Sequence, residues 1–502
     1  MPEHTVSISC TGLFRKTTGI DNHAAEIRGF WSIKIMNGSA RDMTTGNPMR
    51  LILGFSIPLL LGNLFQQFYN LVDTMIVGRF LGFRALAGVG ATGCINFLII
   101  GFCMGVCSGF AIPVSHAFGA RDEAGLKKNI INSFYLAGAF AIGITIVTVI
   151  FLRPMLRLLR TPEDIFEYSY SYILIIFIGI PATFLYNILS SMIRAIGDSR
   201  TPLVFLIISS FLNIGLDLLF IVVFKSGVSG AALATVLSQL ISGILCVIVV
   251  IKKFPIIHVG KQYRSPDKHC MNRLCRMGVP MGLQYSITAI GSVILQSSVN
   301  TLGSVVVASI TAANRVTMFL SCPFDAMGAT MATYAGQNVG AKKLDRLDEG
   351  LKDCSILGIG YSLIAFVILY FFRFDLVSLF IDDVAANGEM LENAGRFLII
   401  IGAFYIPLAF VNIIRFMIQG MGFPFFAILA GVLEMVARGI AGIWMVPVWG
   451  FLGACFASPL AWIFADAFLI PAYITVRRKL GEMLAERSGN DPIQKTDRIG
   501  TI

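Results

Sequence analysis

Charged side chains are scarce in this sequence. Only 14% of its 502 residues are Asp, Glu, Lys or Arg, whereas soluble domains carry roughly 25%. The charges cluster in short stretches, and between them lie apolar runs of about 20 or more residues, long enough to cross a hydrocarbon core as helix. The runs lack the period-2 alternation of a membrane β-barrel. We therefore expect an all-α integral membrane protein.

Motifs of catalysis and of metal binding are also missing. The sequence has no nucleophile elbow and no P-loop, and its loops are too short to hold a soluble domain. Its ten Cys are scattered, with no CxxC pair or neighbouring His cluster. We predict a protein that is not an enzyme, uses no cofactor and holds no metal beyond a possible Na⁺. The net charge of +10 lies in loops, so it indicates membrane topology and not nucleic-acid binding.

Residues 1–42 differ in composition from the rest of the chain. They are polar and contain no apolar core of a signal peptide. Met43 begins a segment that runs directly into the first apolar run. We expect residues 1–42 to be either a disordered extension or a stretch that is not translated.

Apolar runs between polar breaks predict twelve transmembrane helices. We expect an N-terminal six-helix lobe over 43–255, a basic linker over 256–273, a C-terminal six-helix lobe over 274–478 and a polar tail over 479–502. The predicted spans are 50–80, 85–117, 129–152, 168–195, 202–224, 229–251, 274–301, 305–336, 351–372, 393–420, 424–447 and 450–476.

Basic residues predict the sidedness of these spans. The loops after spans 2, 6 and 8 and the start of the tail are rich in Lys and Arg, and with twelve spans they share one side. The opposite loops are poorer, with Arg153, Arg157 and Arg160 as the exception. Because basic loops stay in the cytoplasm, we expect both termini there and a multi-pass protein in the cytoplasmic membrane of a prokaryote.

The two predicted lobes repeat one another at a spacing of about 221–226 residues. Five segments match in the same order, which two unrelated sets of membrane helices would rarely do. An even number of spans per repeat gives both lobes the same orientation, related by a pseudo-two-fold axis along the membrane normal. The aligned pairs include Pro58 with Pro280, Gly119 with Gly340, Pro181 with Pro407 and Gly230 with Gly453.

Several motifs resemble those of the multidrug and toxic compound extrusion (MATE) transporters. They are "NLVDTMIVGRFLG" (70–82), "SMIRAIGDSRTP" (191–202), "FLNIGLDLLF" (211–220) and "GVSGAALATVLSQ" (227–239). The resemblance covers residue 43 to about residue 480. It implies a twelve-helix, two-lobe antiporter that exports cationic or amphipathic compounds against Na⁺ or H⁺ entry.

Two acids lie inside predicted spans of the first lobe. An acid at the centre of a membrane helix costs roughly 2.5–3.5 kcal/mol on insertion scales, so Asp73 and Asp217 are functional candidates. Thr235 lies at a similar depth, and Asn213 precedes Asp217 by four residues on the same helical face. These oxygens suit a hard cation, or the acids could bind a proton. The resemblance implies that all four line a cation site. A hydrogen-bonded helix contact without a transported ion is the alternative.

Pro58 lies in the same predicted span as Asp73. Proline removes a backbone hydrogen bond and favours a kink. The resemblance implies that this span bends when its acid changes occupancy. A fixed packing kink is the other interpretation.

The second lobe differs from the first. Some family members carry a functional Glu after the proline of span 7, whereas this chain has Gln284 there, which argues against an equivalent cation site. Glu434 and Arg438 are spaced i, i+4 and could form a structural ion pair; a direct role in coupling or in cargo contact is the alternative. Asp466 lies deep in an apolar run, and Arg415 is a possible partner.

The cargo cavity is harder to predict than the cation site. The chain has 40 Phe, 20 Met and 13 Tyr, which suit flat amphipathic cations, although most of them pack against lipid or helices. Polar positions near the acids and in span 7 are the candidates for the cavity wall: Gln66, Tyr69, Asn70, Gln284 and Tyr285.

These observations predict a monomeric, cation-coupled antiporter that exports small organic, cationic or amphipathic compounds by alternating access. The alternative is a lipid-linked oligosaccharide flippase of the same wider superfamily, which shares the two-lobe design. Acids in the bilayer favour cationic cargo.

Overall fold

The computed structural model describes residues 41–159, 161–254, 263–380 and 388–489. Within these ranges the regular structure is helical and no strand occurs, which confirms the all-α prediction. The expectations for the N-terminal extension up to residue 40, for Arg160, for residues 255–262 of the linker and for the tail beyond 489 lie outside the described residues.

Eight α-helices form the first half of the described chain. They are α1 (Pro48–Leu81), α2 (Phe83–Ala91), α3 (Gly93–Gly119), α4 (Glu123–Leu158), α5 (Glu163–Ile178), α6 (Ile180–Ala195), α7 (Arg200–Asp217) and α8 (Gly227–Lys253). A π-helical segment, Leu218–Val223, continues α7.

The second half follows the same plan. Its helices are α9 (Lys268–Val299), α10 (Ser304–Gly340), α11 (Asp345–Ser378), α12 (Gly388–Ala403), α13 (Tyr405–Gly420), α14 (Pro424–Ile440), α15 (Val446–Trp449) and α16 (Phe451–Gly489). A short 3₁₀ turn, Asn300–Leu302, ends α9, and a π-helical segment, Ala441–Met445, joins α14 to α15.

The described helices provide the predicted twelve spans. Ten continuous stretches are long and apolar enough to cross a membrane, and two bent pairs add one span each: α5–α6, bent by 48°, and α12–α13, bent by 51°. Each pair breaks just before Pro181 or Pro407, whose missing N–H cannot bond to the preceding turn. The sequence predicted both spans as single helices, and the structure adds the bend.

Backbone geometry repeats along with the sequence. Gly82 and Gly303 occupy equivalent turns with φ of 82° and 94°, a conformation that suits a residue without Cβ. From these turns α2 and α3 together run to Gly119, and α10 runs to Gly340. A bent span and a π-helical segment also occur at corresponding places in both halves. The structure therefore repeats as two six-span lobes.

Each lobe has its own apolar core, and the first span of each half reaches into the other core. Ile52, Phe55 and Leu59 of α1 belong to the core of the second half, while Ile76 and Val77 of the same helix belong to that of the first half. In α9, the early residues Cys270 and Leu274 pack in the core of the first half. Both helices therefore tie the lobes together.

We call the "basic end" the end of the bundle that holds Arg121 and Lys342, and the "far end" the end that holds Gly82 and Gly303. At the basic end the lobes touch so closely that a Cβ on Gly119 would lie 1.9 Å from the carbonyl oxygen of Gln337. A Cβ on Gly340 would lie 2.0 Å from the carbonyl oxygen of His116.

Hydrogen bonds add to this closure. The Met43 N–H donates to Gln337 Oε1 (2.9 Å), and Gln337 Nε2 donates to the carbonyl oxygen of Ala195 (3.0 Å). Ser56 and Thr330 share a hydrogen bond of 2.7 Å between α1 and α10. Further toward the far end, α1 and α10 separate around a cavity of about 740 Å³. The cleft between the lobes is therefore closed at the basic end and open at the far end.

Candidate cation site and inter-lobe cleft

The structure brings the two predicted acids of the first lobe together. Asp73 lies on α1, two turns before its far end, and Asp217 is the last residue of α7. The two carboxyl groups lie within hydrogen-bonding reach of one another. Leu218–Val223 follows Asp217 as π-helix, a geometry that occurs mostly as single turns at functional sites. Asp217 is fully buried.

Asn213 and Thr235 complete this group. The Asn213 Nδ2 donates to Thr235 Oγ1 at 3.4 Å, and Thr235 Oγ1 lies 3.1 Å from the carbonyl oxygen of Ala231 in its own helix, α8. The amide oxygen of Asn213 is buried without a hydrogen-bond donor. Because Asn213 and Asp217 are one turn apart on α7, their oxygens face the same point.

The carboxylate oxygens of this group are short of donors. Both oxygens of Asp217 and Oδ1 of Asp73 are buried with no donor among the described residues. No Lys or Arg in the described ranges lies within ion-pair distance of either acid. Buried polar groups are nearly always satisfied, and two adjacent carboxylates repel one another unless a positive charge lies between them. The geometry therefore fits a bound cation or proton.

Two tyrosines stand beside the acids. Tyr69 and Tyr172 both lie close enough to Asp73 and Asp217 to interact with them electrostatically, and Gln66 lies beside Tyr69. Tyr69 and Gln66 were predicted from their positions on the first span. Tyr172 was not, because it is one of three tyrosines in α5, with Tyr168 and Tyr170, and nothing in the sequence distinguishes it from them.

The ligand types restrict the kind of ion. The site offers oxygen atoms only, which suit a hard cation such as Na⁺ and not a soft transition metal. Across the part of the chain that the structure describes, no group of three or more His, Cys, Asp or Glu is arranged to hold a metal.

In the second lobe, by contrast, a buried acid has basic partners. Glu434 on α14 is 3% exposed. Its Oε1 accepts a hydrogen bond from Nη2 of Arg415 on α13, and its Oε2 lies 3.6 Å from Nη2 of Arg438. The predicted spacing of Glu434 and Arg438 thus places them together, with Arg415 as a third and closer member. Asp466 on α16 lies near Arg415, but its Oδ1 has no donor among the described residues.

The remaining predicted positions are spread over the cleft. Gln284 is buried and accepts a hydrogen bond from Nε2 of Gln419, so it lies in the contact of α9 with α13 and not at an open wall. Tyr285 is half-buried against Gly101 of α3. Asn70 is exposed, and its carbonyl oxygen accepts from Thr74. Contact of these residues with cargo stays a prediction.

Pro58 lies inside a continuous α1, beside Leu59, the last α1 residue that belongs to the core of the second half. A bend at this point would change how α1 connects the two cores. The bending role of Pro58 stays a prediction.

The open part of the cleft lies between α1 and the far-end half of α10. Its walls are mainly apolar, with Thr74, Thr311 and Arg315 among the polar exceptions. Sequence reasoning missed Arg315 and, deeper on the same helix, Asp325. The rule that singled out Asp73, an acid inside a predicted span, would have found Asp325 if applied to span 8.

These features define a class of protein. Two six-span lobes of equal orientation, closed at one end and open at the other, form the architecture of an alternating-access transporter. Comparison with known proteins then gives the family. A family model described as MatE matches residues 58–219 and 280–442, one stretch in each half. The chain belongs to this family of transporters, and the duplicated match agrees with the predicted repeat.

Relatives in Bacillus subtilis (strain 168) support the assignment. The probable multidrug resistance protein YoeA is 31% identical over 69% of this chain and 75% of its own length. The probable multidrug resistance protein YpnP is 32% identical over 70% of this chain and 79% of its own length. A solved multidrug resistance MATE family transporter in an outward-facing conformation is similar in fold, with a TM-score of 0.80 at 22% identity, covering 88% of this chain and 98% of that chain.

Proposed function

We propose that this transporter is a cation-coupled antiporter that exports small organic, cationic or amphipathic compounds. The observation that carries the proposal is the adjacent pair Asp73–Asp217, in which three of the four carboxyl oxygens are buried and neither acid has a basic partner in the described ranges. A pair of acids in that position is costly to insert. Na⁺ or H⁺ would remove the repulsion between them, so the pair is a site through which the gradient of that cation can be coupled to transport.

Sidedness follows from the basic loops. Because Lys and Arg are retained in the cytoplasm, the basic end is the cytoplasmic end, and the chain lies in the cytoplasmic membrane of a prokaryote. The lobes touch at that end and separate at the far end. We therefore infer that this conformation is outward-open, the state that releases cargo and takes up the coupling cation.

The connection between the site and the cleft runs through α1. This helix carries Asp73, and its earlier turns pack in the core of the second lobe. Binding of a cation at Asp73 and Asp217 would draw α1 toward α7 and change its contacts with α10. Pro58 lies at the point where the helix can bend. A ligand shifts such an equilibrium only by its difference in affinity for the two states, and the unpaired acids supply that difference.

Gradient-driven transport in proteoliposomes tests this function. An outwardly directed gradient of Na⁺ or of H⁺ should drive uptake of ethidium by the wild-type protein. Asp73→Asn should reduce this uptake to the background level while the protein inserts and elutes as a single species. Asp164→Asn, at an exposed position of α5, is the matched control and should transport normally. Full gradient-driven uptake by Asp73→Asn would contradict the proposal.

The flippase alternative is favoured by one observation, the position of Arg315 at the wall of the open cavity. An arginine there would suit the phosphate of a lipid-linked sugar. If neither gradient drives ethidium uptake and the protein instead moves a fluorescent lipid-linked oligosaccharide across the bilayer, the flippase function is correct.

A further inference from the structure

The helix α10 presents one free face to the interior of the protein. It packs against α1 and α3 of the first lobe and against α11, α12 and α13 of the second. A helix enclosed in this way has little access to lipid, so exposed side chains along it face the cleft. Thr311, Asn314, Arg315, Met318 and Asp325 are all exposed.

These five residues form a single stripe. At 100° per residue they fall within an arc of about 100° around the helix axis. The upper part of the stripe, Thr311 and Arg315, lines the open cavity of about 740 Å³. The stripe therefore continues the cavity wall from the far end down to Asp325.

Asp325 lies near the middle of the helix. It is 21 residues from Ser304 and 15 from Gly340, or about 30 Å and 22 Å along the axis. Tyr285 of α9 lies close enough to interact with it electrostatically, and Tyr285 itself contacts Gly101 of the first lobe. Asp325 thus lies beside the contact of α9 with the first lobe, deeper along α10 than the residues that line the cavity.

No basic group of the described residues neutralises Asp325. It has no ion pair there, and the two arginines nearest Tyr285 are held elsewhere: Arg194 donates to Ser191 Oγ, and Arg415 donates to Glu434. Arg315 is about 15 Å higher on the same face, also without an ion pair among the described residues.

The repeat shows that the fold does not need these charges. At the spacing of 221 residues that aligns Gly119 with Gly340, the counterparts of Asp325 and Arg315 are Met104 and Cys94. The same helix is therefore built in the first lobe with uncharged residues. Charges inside a membrane helix that packing does not require point to a ligand.

We propose that Asp325 binds the positively charged group of the cargo at the base of the cleft, and that Arg315 lowers the affinity for that cargo along its way out. A carboxylate partly enclosed by protein attracts a cation more strongly than the same carboxylate in bulk water, because the effective dielectric constant around it is lower. A fixed positive charge nearer the far end repels the same cation, which favours release on that side. This inference rests on the proposed export of organic cations and assigns its cargo site.

Binding of two isosteric ions of opposite charge tests the assignment. Purified wild-type protein, Asp325→Asn, Asp325→Glu and Arg315→Gln are titrated calorimetrically with tetraphenylphosphonium and with tetraphenylborate. Asp325→Asn should weaken binding of tetraphenylphosphonium about tenfold, the effect of one partly hydrated charge contact, without weakening binding of tetraphenylborate. Asp325→Glu should restore the affinity, and Arg315→Gln should raise it about threefold.

The outcomes separate this inference from the proposed function. Unchanged tetraphenylphosphonium affinity in Asp325→Asn, with gradient-driven ethidium uptake intact, would overturn the cargo site and leave the antiporter function in place. Equal weakening of both ions would also overturn it, since that result indicates a change of shape and not the loss of a charge. Absence of gradient-driven uptake in the wild-type protein would overturn the antiporter function, and the cargo site with it.

Discussion

Asp73 and Asp217 of the first lobe lie together with no basic partner among the described residues, whereas Glu434 of the second lobe bonds to Arg415 and has Arg438 beside it. The same six-span fold thus treats buried acids in two ways. Around Glu434 the chain supplies its own positive charge. Around Asp73 and Asp217 no described residue supplies one. This difference supports the proposal that the coupling cation binds in the first lobe.

The largest expected effect on stability belongs to the second lobe. Glu434→Gln leaves Arg415 and Arg438 buried without their counter-ion, and breaking a buried ion pair in this way costs about 3–5 kcal/mol. We expect a clear fall in the unfolding temperature in detergent. Asp217→Asn is the matched control and should unfold at or above the wild-type temperature, because it removes a charge that had no partner. An equal fall in the unfolding temperature of both variants would contradict the difference between a paired acid in the second lobe and unpaired acids in the first.

A smaller effect is expected at the contact between the lobes. Gly119→Ala places a Cβ 1.9 Å from the carbonyl oxygen of Gln337, so the basic end must loosen. The Met43 N–H, which bonds to Gln337, should then exchange with deuterium about tenfold faster, which corresponds to about 1.4 kcal/mol. The control is Gly138→Ala, where a Cβ meets no atom within 4 Å. Faster exchange in both variants would mean that Gly119 is not a point of contact.

The neutral members of the cation site should have a modest effect. Thr235→Ala removes one oxygen, and a single hydrogen-bonding group contributes about 0.5–1.5 kcal/mol, or roughly 2- to 10-fold in affinity. The concentration of the coupling cation that gives half-maximal ethidium transport should rise by that factor. Thr148→Ala, a buried threonine on α4 that bonds only within its helix, is expected to leave this concentration unchanged. A shift in both variants would indicate a general effect of lost hydroxyl groups.

The smallest effect is expected at the basic end, outside the membrane. A hydrogen bond from Lys128 lowers the pKa of Asp267 to about 2, with help from the N–H groups of Cys270 and His269. A lowered pKa means that Asp267 stabilises the fold above its ordinary pKa of 3.8, and that this contribution disappears as the pH falls through about 2. Asp267→Asn should therefore lower the unfolding temperature slightly and evenly between pH 5 and 9, and the difference from wild type should shrink toward pH 2. A difference that changes between pH 5 and 9 would contradict this assignment.

Sequence patterns revealed the parts of the site that depend on position along one helix. The depth of Asp73 and Asp217 and the spacing of Asn213 from Asp217 follow from a fixed rise and turn per residue. The repeat predicted two lobes because turns such as Gly82 and Gly303 recur at a constant spacing. Asp73 and Asp217 could thus be proposed as members of one site from the sequence alone.

Contacts between distant segments could not be found in this way. Arg415 and Glu434 are 19 residues apart on different helices, and Gln419 and Gln284 are 135 apart. Tyr172 reaches the cation site from a span in which no sequence pattern distinguishes it from Tyr168 and Tyr170. Which face of a helix meets which neighbour is decided by packing, and a hydropathy pattern does not encode it. The bends before Pro181 and Pro407 arise where proline lacks the N–H of a helical hydrogen bond. The apolar content used to define the spans does not show them.

Cation-driven transport in two acid variants tests most directly whether coupling resides in the first lobe alone. Ethidium uptake into proteoliposomes is measured under imposed Na⁺ and H⁺ gradients for wild type, Asp217→Asn and Asp466→Asn, with the protein content of each preparation matched. We expect Asp217→Asn to lose the response to the gradient and Asp466→Asn to retain it. Loss of the response in Asp466→Asn, or its retention in Asp217→Asn, would contradict a coupling site in the first lobe alone.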